Sequence, residues 1–216
     1  EWSMTGAAFV GVPIFPSGHN GRVAWGTTLG MADTADLYVE GPSDGPLDGK
    51  GDGASEEADK VITLREEIRV KGKAPVIEEI KVTQRGPFLT PLINGGGYSL
   101  SIRAVWMQPR PVHGFLRVAR TRTIAEFRGA FEAWPLMSLN LVFADDSGAI
   151  GSQLVGETPV RRTGHGIVPA AAWTGDGDWA DDPVPYADMP GAADPAEGYL
   201  VSANHNPIPE VTSPEP

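Results

Sequence analysis

Apolar and polar residues alternate through much of this chain, and clusters of Gly, Pro and Asp cut the alternation into short lengths. Val23 and Trp25 alternate with small residues after a bend at Gly18 and Gly21, as a strand does when it buries one face. With the stretch before them they predict two short strands within residues 7–28, around a bend at 13–21. Residues 61–70 and 76–83 both alternate and are joined by Lys71-Gly72-Lys73-Ala74-Pro75, which predicts a β-hairpin. Residues 98–106 read as a further strand. Residues 139–144 and 149–155 read as a second hairpin around Asp145-Asp146-Ser147-Gly148. One segment carries the helical period instead. Ile124, Phe127, Phe131 and Trp134 share a face of residues 123–134, Thr123 and Glu126 make a capping-box pattern, and Pro135 stops the helix.

Between these elements the pattern lapses. Residues 41–58 are rich in Gly, Asp, Pro and Ser and poor in large apolar side chains, the composition of a solvent-exposed loop. After Pro159 regularity is lost until residues 199–203, which predict one last strand. No internal repeat is visible. The strand-rich segment 37–97 reads as a small β-rich subdomain inserted into a larger unit formed by residues 1–36 and 98–216.

Composition narrows the function classes. The chain has 216 residues, 41% hydrophobic and 21% charged, as an ordinary globular protein has, and is long enough for a sizeable core. A net charge of -11 argues against a nucleic-acid partner, since phosphate binding needs a basic surface. No stretch reaches the apolar length of a membrane span. With no cysteine, disulfides and thiolate metal sites are excluded. His19, His113, His165 and His205 show no zinc-ligand spacing, and no Gly-x-Ser-x-Gly elbow, P-loop or dinucleotide fingerprint occurs.

Three places could carry chemistry. The strand running into Thr27-Thr28-Leu29-Gly30 offers backbone N–H groups of the kind that build an oxyanion site. Asn204 lies where the last strand gives way to His205-Asn206-Pro207, and its amide can either donate to an oxyanion or simply turn the chain. Asp33, the carbonyl of Ala35 and Asp36 form an oxygen set suited to a hard cation, or a polar turn capped by Asp33.

The same residues carry a family resemblance. Gly18-His19-Asn20-Gly21 followed by Trp25-Gly26-Thr27-Thr28 and then Asp33 and Asp36 resembles the penicillin acylase (penicillin amidase) family of N-terminal-nucleophile hydrolases. The blocks 139–145 with Gly148 and Gly151, Gly156-Glu157-Thr158-Pro159 with Arg161, and 198–204 follow in the family's order. The resemblance implies an α+β fold, part of an αββα sandwich with an inserted β-rich subdomain. It also implies cleavage of a linear amide in an N-acyl compound, such as a β-lactam side chain or an acyl-homoserine lactone, through an acyl-enzyme.

Carried over by position, it makes Asn204 and the Leu29 N–H the oxyanion donors, and Ser17 and Leu139 liners of the acyl pocket. It makes Asp33, Ala35 and Asp36 ligands of a structural calcium, with no organic cofactor. It implies a periplasmic or extracellular location. The chain begins Glu1-Trp2-Ser3 and lacks the family's nucleophile strand, so it reads as an internal fragment of the large chain, inactive alone. Its partners would be the small chain, the nucleophile strand and a small-molecule substrate. The competing readings are a non-catalytic β-rich binding module and a degenerate acylase homologue.

Overall fold

Short alternating stretches pair with their neighbours in this chain, and the computed structural model, which describes residues 3–11, 14–42, 61–90, 92–93, 97–110 and 113–205, shows how. Its described strands are β1 (Thr5–Ala7), β2 (Ser17–His19), β3 (Val23–Leu29), β4 (Ala35–Pro42), β5 (Ile62–Ile68), β6 (Val76–Val82), β7 (Tyr98–Ala104), β8 (Leu139–Asp145), β9 (Ile150–Val155), β10 (Ala170–Ala171) and β11 (Gly191–Ala193). Two short helices, α1 (Gly114–Arg117) and α2 (Ile124–Ala130), lie between β7 and β8. The chain divides into two units: Glu1–Thr34, Gln108–Pro159 and Asp182–Pro216 in the first, Ala35–Met107 and Val160–Asp181 in the second.

The first unit is built on an antiparallel six-stranded sheet of order β1-β2-β3-β8-β9-β11. In its centre Trp25 stands opposite Phe143 and Thr27 opposite Leu141. Residues directly opposed in an antiparallel pair share a face, so the buried Val23, Trp25, Leu141 and Phe143 line one side of the sheet. Phe127 and Phe131 of the α2 region and Phe115 of α1 cover that side, with Phe127 at 5.4 Å from the Trp25 ring and 4.9 Å from the Phe143 ring. Phe115 meets Phe131 and Trp134 edge to face, the geometry the ring quadrupole favours. The opposite side of the same strands carries small residues: Ala24 faces Ala144, and Gly26 faces Val142.

Helix α2 begins as the sequence predicts. The Thr123 hydroxyl accepts from the Glu126 N–H at 3.2 Å. The Glu126 carboxylate reaches back one residue further than a capping box requires, to the Arg122 N–H at 2.7 Å. The helix stops earlier than its pattern predicts: Phe131 leaves helical geometry at φ -99° and ψ 0°, and Phe131 and Trp134 pack from the turn that follows.

In the second unit β4 pairs with β7 antiparallel and with β10 parallel, while β5 and β6 form the expected hairpin. Its interior is charged. Arg85, almost fully buried, donates through Nε to Asp178 at 2.7 Å and through a terminal nitrogen to the Ala172 carbonyl at 2.8 Å. The Ser101 hydroxyl donates to buried Glu40 at 2.5 Å. Burial, reinforced by the Asp36 and Asp178 carboxylates, pushes the Tyr38 hydroxyl up to about 12, and it donates to the Gly177 carbonyl.

Three expectations need revision or fall elsewhere. Residues 13–21, read as a bend, contain β2, which pairs on one side with β1 and on the other with β3. Residues 199–203 form no strand; Tyr199 and Val201 are exposed and no sheet neighbour pairs with them. Of the loop expected at 41–58, Gly41 and Pro42 belong to β4 and the rest lies outside the described residues.

Candidate active site

Strand β3 ends with an N–H that the sheet does not use. The Gly30 N–H, one residue on, donates to the Ser138 carbonyl, so alternation turns the Leu29 N–H away from β8. On that other side β2 pairs only with Trp25 and Ala24 and stops short of Leu29. Gly30 is a position of close approach: a Cβ there would lie 2.2 Å from the Ser138 hydroxyl and 2.5 Å from the Leu154 side chain. Met31 follows at φ 55°, a left-handed conformation uncommon outside glycine.

The Leu29 N–H is met by a residue 175 positions away. It donates to Asn204 Oδ1 at 2.9 Å. Asn204 itself sits at φ 54°, which asparagine tolerates better than most residues, and the left-handed turn brings its carboxamide to the strand end. Among the described residues its amide nitrogen has no hydrogen-bond partner. A backbone N–H and a side-chain amide therefore converge at one exposed point beside the end of β3.

Three further polar side chains surround this point, and the sequence patterns did not single them out. Asn140 is buried in β8 directly opposite Thr28 of β3. Its amide donates to the Ser202 hydroxyl at 2.8 Å, and that hydroxyl also bonds the Thr28 hydroxyl. The available signal was an asparagine between Leu139 and Leu141 on an otherwise apolar strand, since a buried amide needs partners.

A family model described as penicillin amidase matches residues 1–215. The chain belongs to the penicillin amidase family. It is 32% identical to an acyl-homoserine lactone acylase, QuiP, of Pseudomonas aeruginosa over 96% of this chain and 26% of that protein. It is 31% identical to penicillin acylase 2 proenzyme of a Pseudomonas species, over 95% of this chain and 26% of that protein. Among solved structures it resembles a thermostable penicillin G acylase from Alcaligenes faecalis at a TM-score of 0.78 and 26% identity, covering 98% of this chain and 38% of that one. The chain thus spans about a quarter of the length of the curated relatives it matches.

The remaining residues that the penicillin amidase resemblance marks fall in varied settings. Ser17 is exposed in β2, opposite Ala7 of β1. Leu139 is buried in the aromatic core of the first unit, opposite Leu29 in the β3–β8 ladder. Asp36 is buried in β4, where both carboxylate oxygens accept from Arg161, at 2.9 Å and 3.0 Å, and Oδ2 also accepts from the Trp179 indole. Ala35 opens β4 and Asp33 precedes it. A cation at Asp36 would meet a carboxylate already neutralised by a guanidinium. Among the described residues no group of three or more His, Asp or Glu side chains is arranged to hold a metal. These residues do not by themselves fit a calcium ion.

Proposed function

We propose that the full-length parent of this chain is an amidohydrolase that cleaves the linear amide of an N-acyl compound, and that this chain supplies its oxyanion hole. The substrate class is a β-lactam bearing an acylated amine, an acyl-homoserine lactone or a related N-acyl compound; relatives are named for both kinds of acylase activity. The observation that carries the reading is the meeting of the Leu29 N–H with the Asn204 carboxamide at 2.9 Å. Once a substrate carbonyl oxygen takes the place of the Asn204 oxygen at this strand end, the Leu29 N–H and the Asn204 amide nitrogen can both donate to it as charge develops, and one such donor is worth about 3 kcal/mol of barrier.

In this mechanism a nucleophilic serine, on a strand of the parent outside these 216 residues, attacks the amide carbonyl carbon. Its own α-amino group takes the hydroxyl proton. The carbonyl oxygen becomes an oxyanion, displaces Asn204 Oδ1 from the Leu29 N–H and takes that hydrogen bond, while the Asn204 amide nitrogen donates the second. The tetrahedral intermediate collapses, the C–N bond breaks, and the leaving amine departs with the proton. Water then attacks the acyl-enzyme and releases the acid by the same route. Ser17 and Leu139 are assigned to the acyl side of the site; Leu139 would act by shaping the core beneath it, since it is buried.

The fold proposed for the parent is the αββα sandwich, with a small β-rich subdomain inserted in its core. Helices on one face of the first unit's sheet and small residues on the other support it, because a second sheet needs a flat face to stack upon. Calcium is proposed only for the parent, with oxygens from other segments of it joining Asp33, Ala35 and Asp36, and it takes no part in the reaction. An exported location, periplasmic or extracellular, belongs to the same reading.

In the full-length parent, Asn204→Ala is expected to lower kcat by about 10²–10³-fold without lowering Tm, as loss of one oxyanion donor does. A variant that keeps the wild-type rate would remove Asn204 from the reaction.

A further inference from the structure

Resting on the oxyanion reading above, we propose that Ser202, Asn140 and Thr28 are positioning residues that hold the segment carrying Asn204 at the end of β3, so that its carboxamide stays beside the Leu29 peptide when the substrate oxygen enters. Among the described residues, the segment carrying Asn204 has little else to hold it. Residues 199–203 make no sheet ladder, and Tyr199 and Val201 are 66% and 69% exposed. Leu200, half-buried beside Ala24, Gly26 and Val142, is the apolar anchor on this side, and it lies four residues before Asn204.

The Ser202 hydroxyl supplies the missing attachment. It bridges Thr28 and Asn140, which stand opposite each other in the β3–β8 ladder, accepting from the Asn140 amide at 2.8 Å and bonding the Thr28 hydroxyl. Thr28 is the residue before Leu29, and Ser202 lies two before Asn204. The two attachments, Ser202 to Thr28 and Asn204 to Leu29, therefore advance together along the end of β3, and the Ser202 bonds keep the loop in place when the substrate oxygen displaces the Asn204 oxygen from Leu29. Asn140 is the buried member, and an amide in that position would cost stability if it found no partner. A loop anchored at Ser202 is what an oxyanion donor two residues on needs, because a displacement of about 1 Å from the reacting geometry can cost up to 10²-fold in rate.

The test is a double-mutant cycle in the full-length parent. Ser202→Ala is expected to lower kcat on the order of tenfold with KM essentially unchanged, and Ser202→Thr to restore much of the rate. Thr28→Val, which keeps the shape and removes the hydroxyl, is expected to act in the same direction. In the Asn204→Ala background neither change should lower kcat further, because the group they position is gone. Tm is followed for each variant. If Ser202→Ala and Thr28→Val keep the wild-type kcat while Asn204→Ala loses it, the positioning role is wrong and the oxyanion reading stands. If their losses are equally large with and without Asn204, they act on the fold at large and the proposal fails. If Asn204→Ala itself is fully active, the oxyanion reading fails with it.

Discussion

Asn20 shows how one side chain can serve both of its hydrogen-bonding faces. Its amide nitrogen donates to the carbonyls of Val118 and Thr121 at 2.7 and 2.8 Å, while its oxygen accepts from the N–H groups of Arg22 and Val23 at 2.9 and 2.8 Å. The turn from β2 into β3 is thereby tied to the chain just before α2, across about a hundred residues. The residue belongs to the Gly-His-Asn block that marks the family, and its role here is architectural. Asn20→Ala in the parent is expected to cost about 2 kcal/mol of stability, since several part-buried groups lose their partner together. The measurement is the denaturation midpoint; an unchanged midpoint would mean that water replaces the amide at little cost.

At the scale of elements, Asp145 joins the β8–β9 hairpin to the start of α2. One carboxylate oxygen accepts from the Ser147 hydroxyl and N–H, and the other accepts from the Ile124 N–H at 3.0 Å, the first residue of the helix. These bonds, the Ser147 hydroxyl first and the Ile124 N–H next, hold the Asp145 carboxyl below its ordinary value. A carboxylate held lower in the folded state adds stability that is fully present above the unfolded value, about 3.9, and is lost as pH falls through the folded one. Wild type is therefore expected to exceed Asp145→Asn in Tm at pH 7, with the gap closing on acidification below pH 4 or so. A gap independent of pH would assign the effect to shape rather than charge.

The same elements show what patterning can and cannot deliver. The hairpins at β5–β6 and β8–β9 were legible because each pairs with its sequence neighbour, and the alternation and the turn residues say the same thing. The Thr123 cap was legible because it is local. Residues 199–203 misled because their apolar pattern promises a strand, whereas side-chain hydrogen bonds hold them to the sheet instead. The short β11, of sequence Gly-Ala-Ala, was invisible because strand preference there comes wholly from its neighbour β9. Leu29 and Asn204 stood out locally only as part of a strand end and as a residue that could equally turn the chain, and resemblance alone paired them as oxyanion donors. Nothing local distinguishes a backbone N–H that the sheet leaves unused, and the shortness of β2 that leaves it so is a property of the folded sheet.

At the scale of the molecule, the two sides of the six-stranded sheet differ in a way that a small stand-alone domain would not need. One side is filled by aromatic rings from α1, α2 and the turn after α2. The other presents Ala24, Gly26, Val142 and Ala144, with residues 198–200 bordering an open groove of about 380 Å³. Small residues on a broad sheet face let another layer approach closely, and stacked sheets sit about 10 Å apart. Ala24 is exposed in this chain and lines the open groove, so a larger side chain there has that space to enter. Ala24→Trp therefore reads the layer above. If the parent stacks a second sheet on this face, the indole overpacks the interface and is expected to cost about 1–3 kcal/mol, seen as a fall in the parent's Tm. If the face is open to water, the change is a surface substitution of about 0.5 kcal/mol at most. An unaltered Tm together with an indole fluorescence maximum typical of solvent-exposed tryptophan would rule out the sandwich, whatever becomes of the oxyanion site.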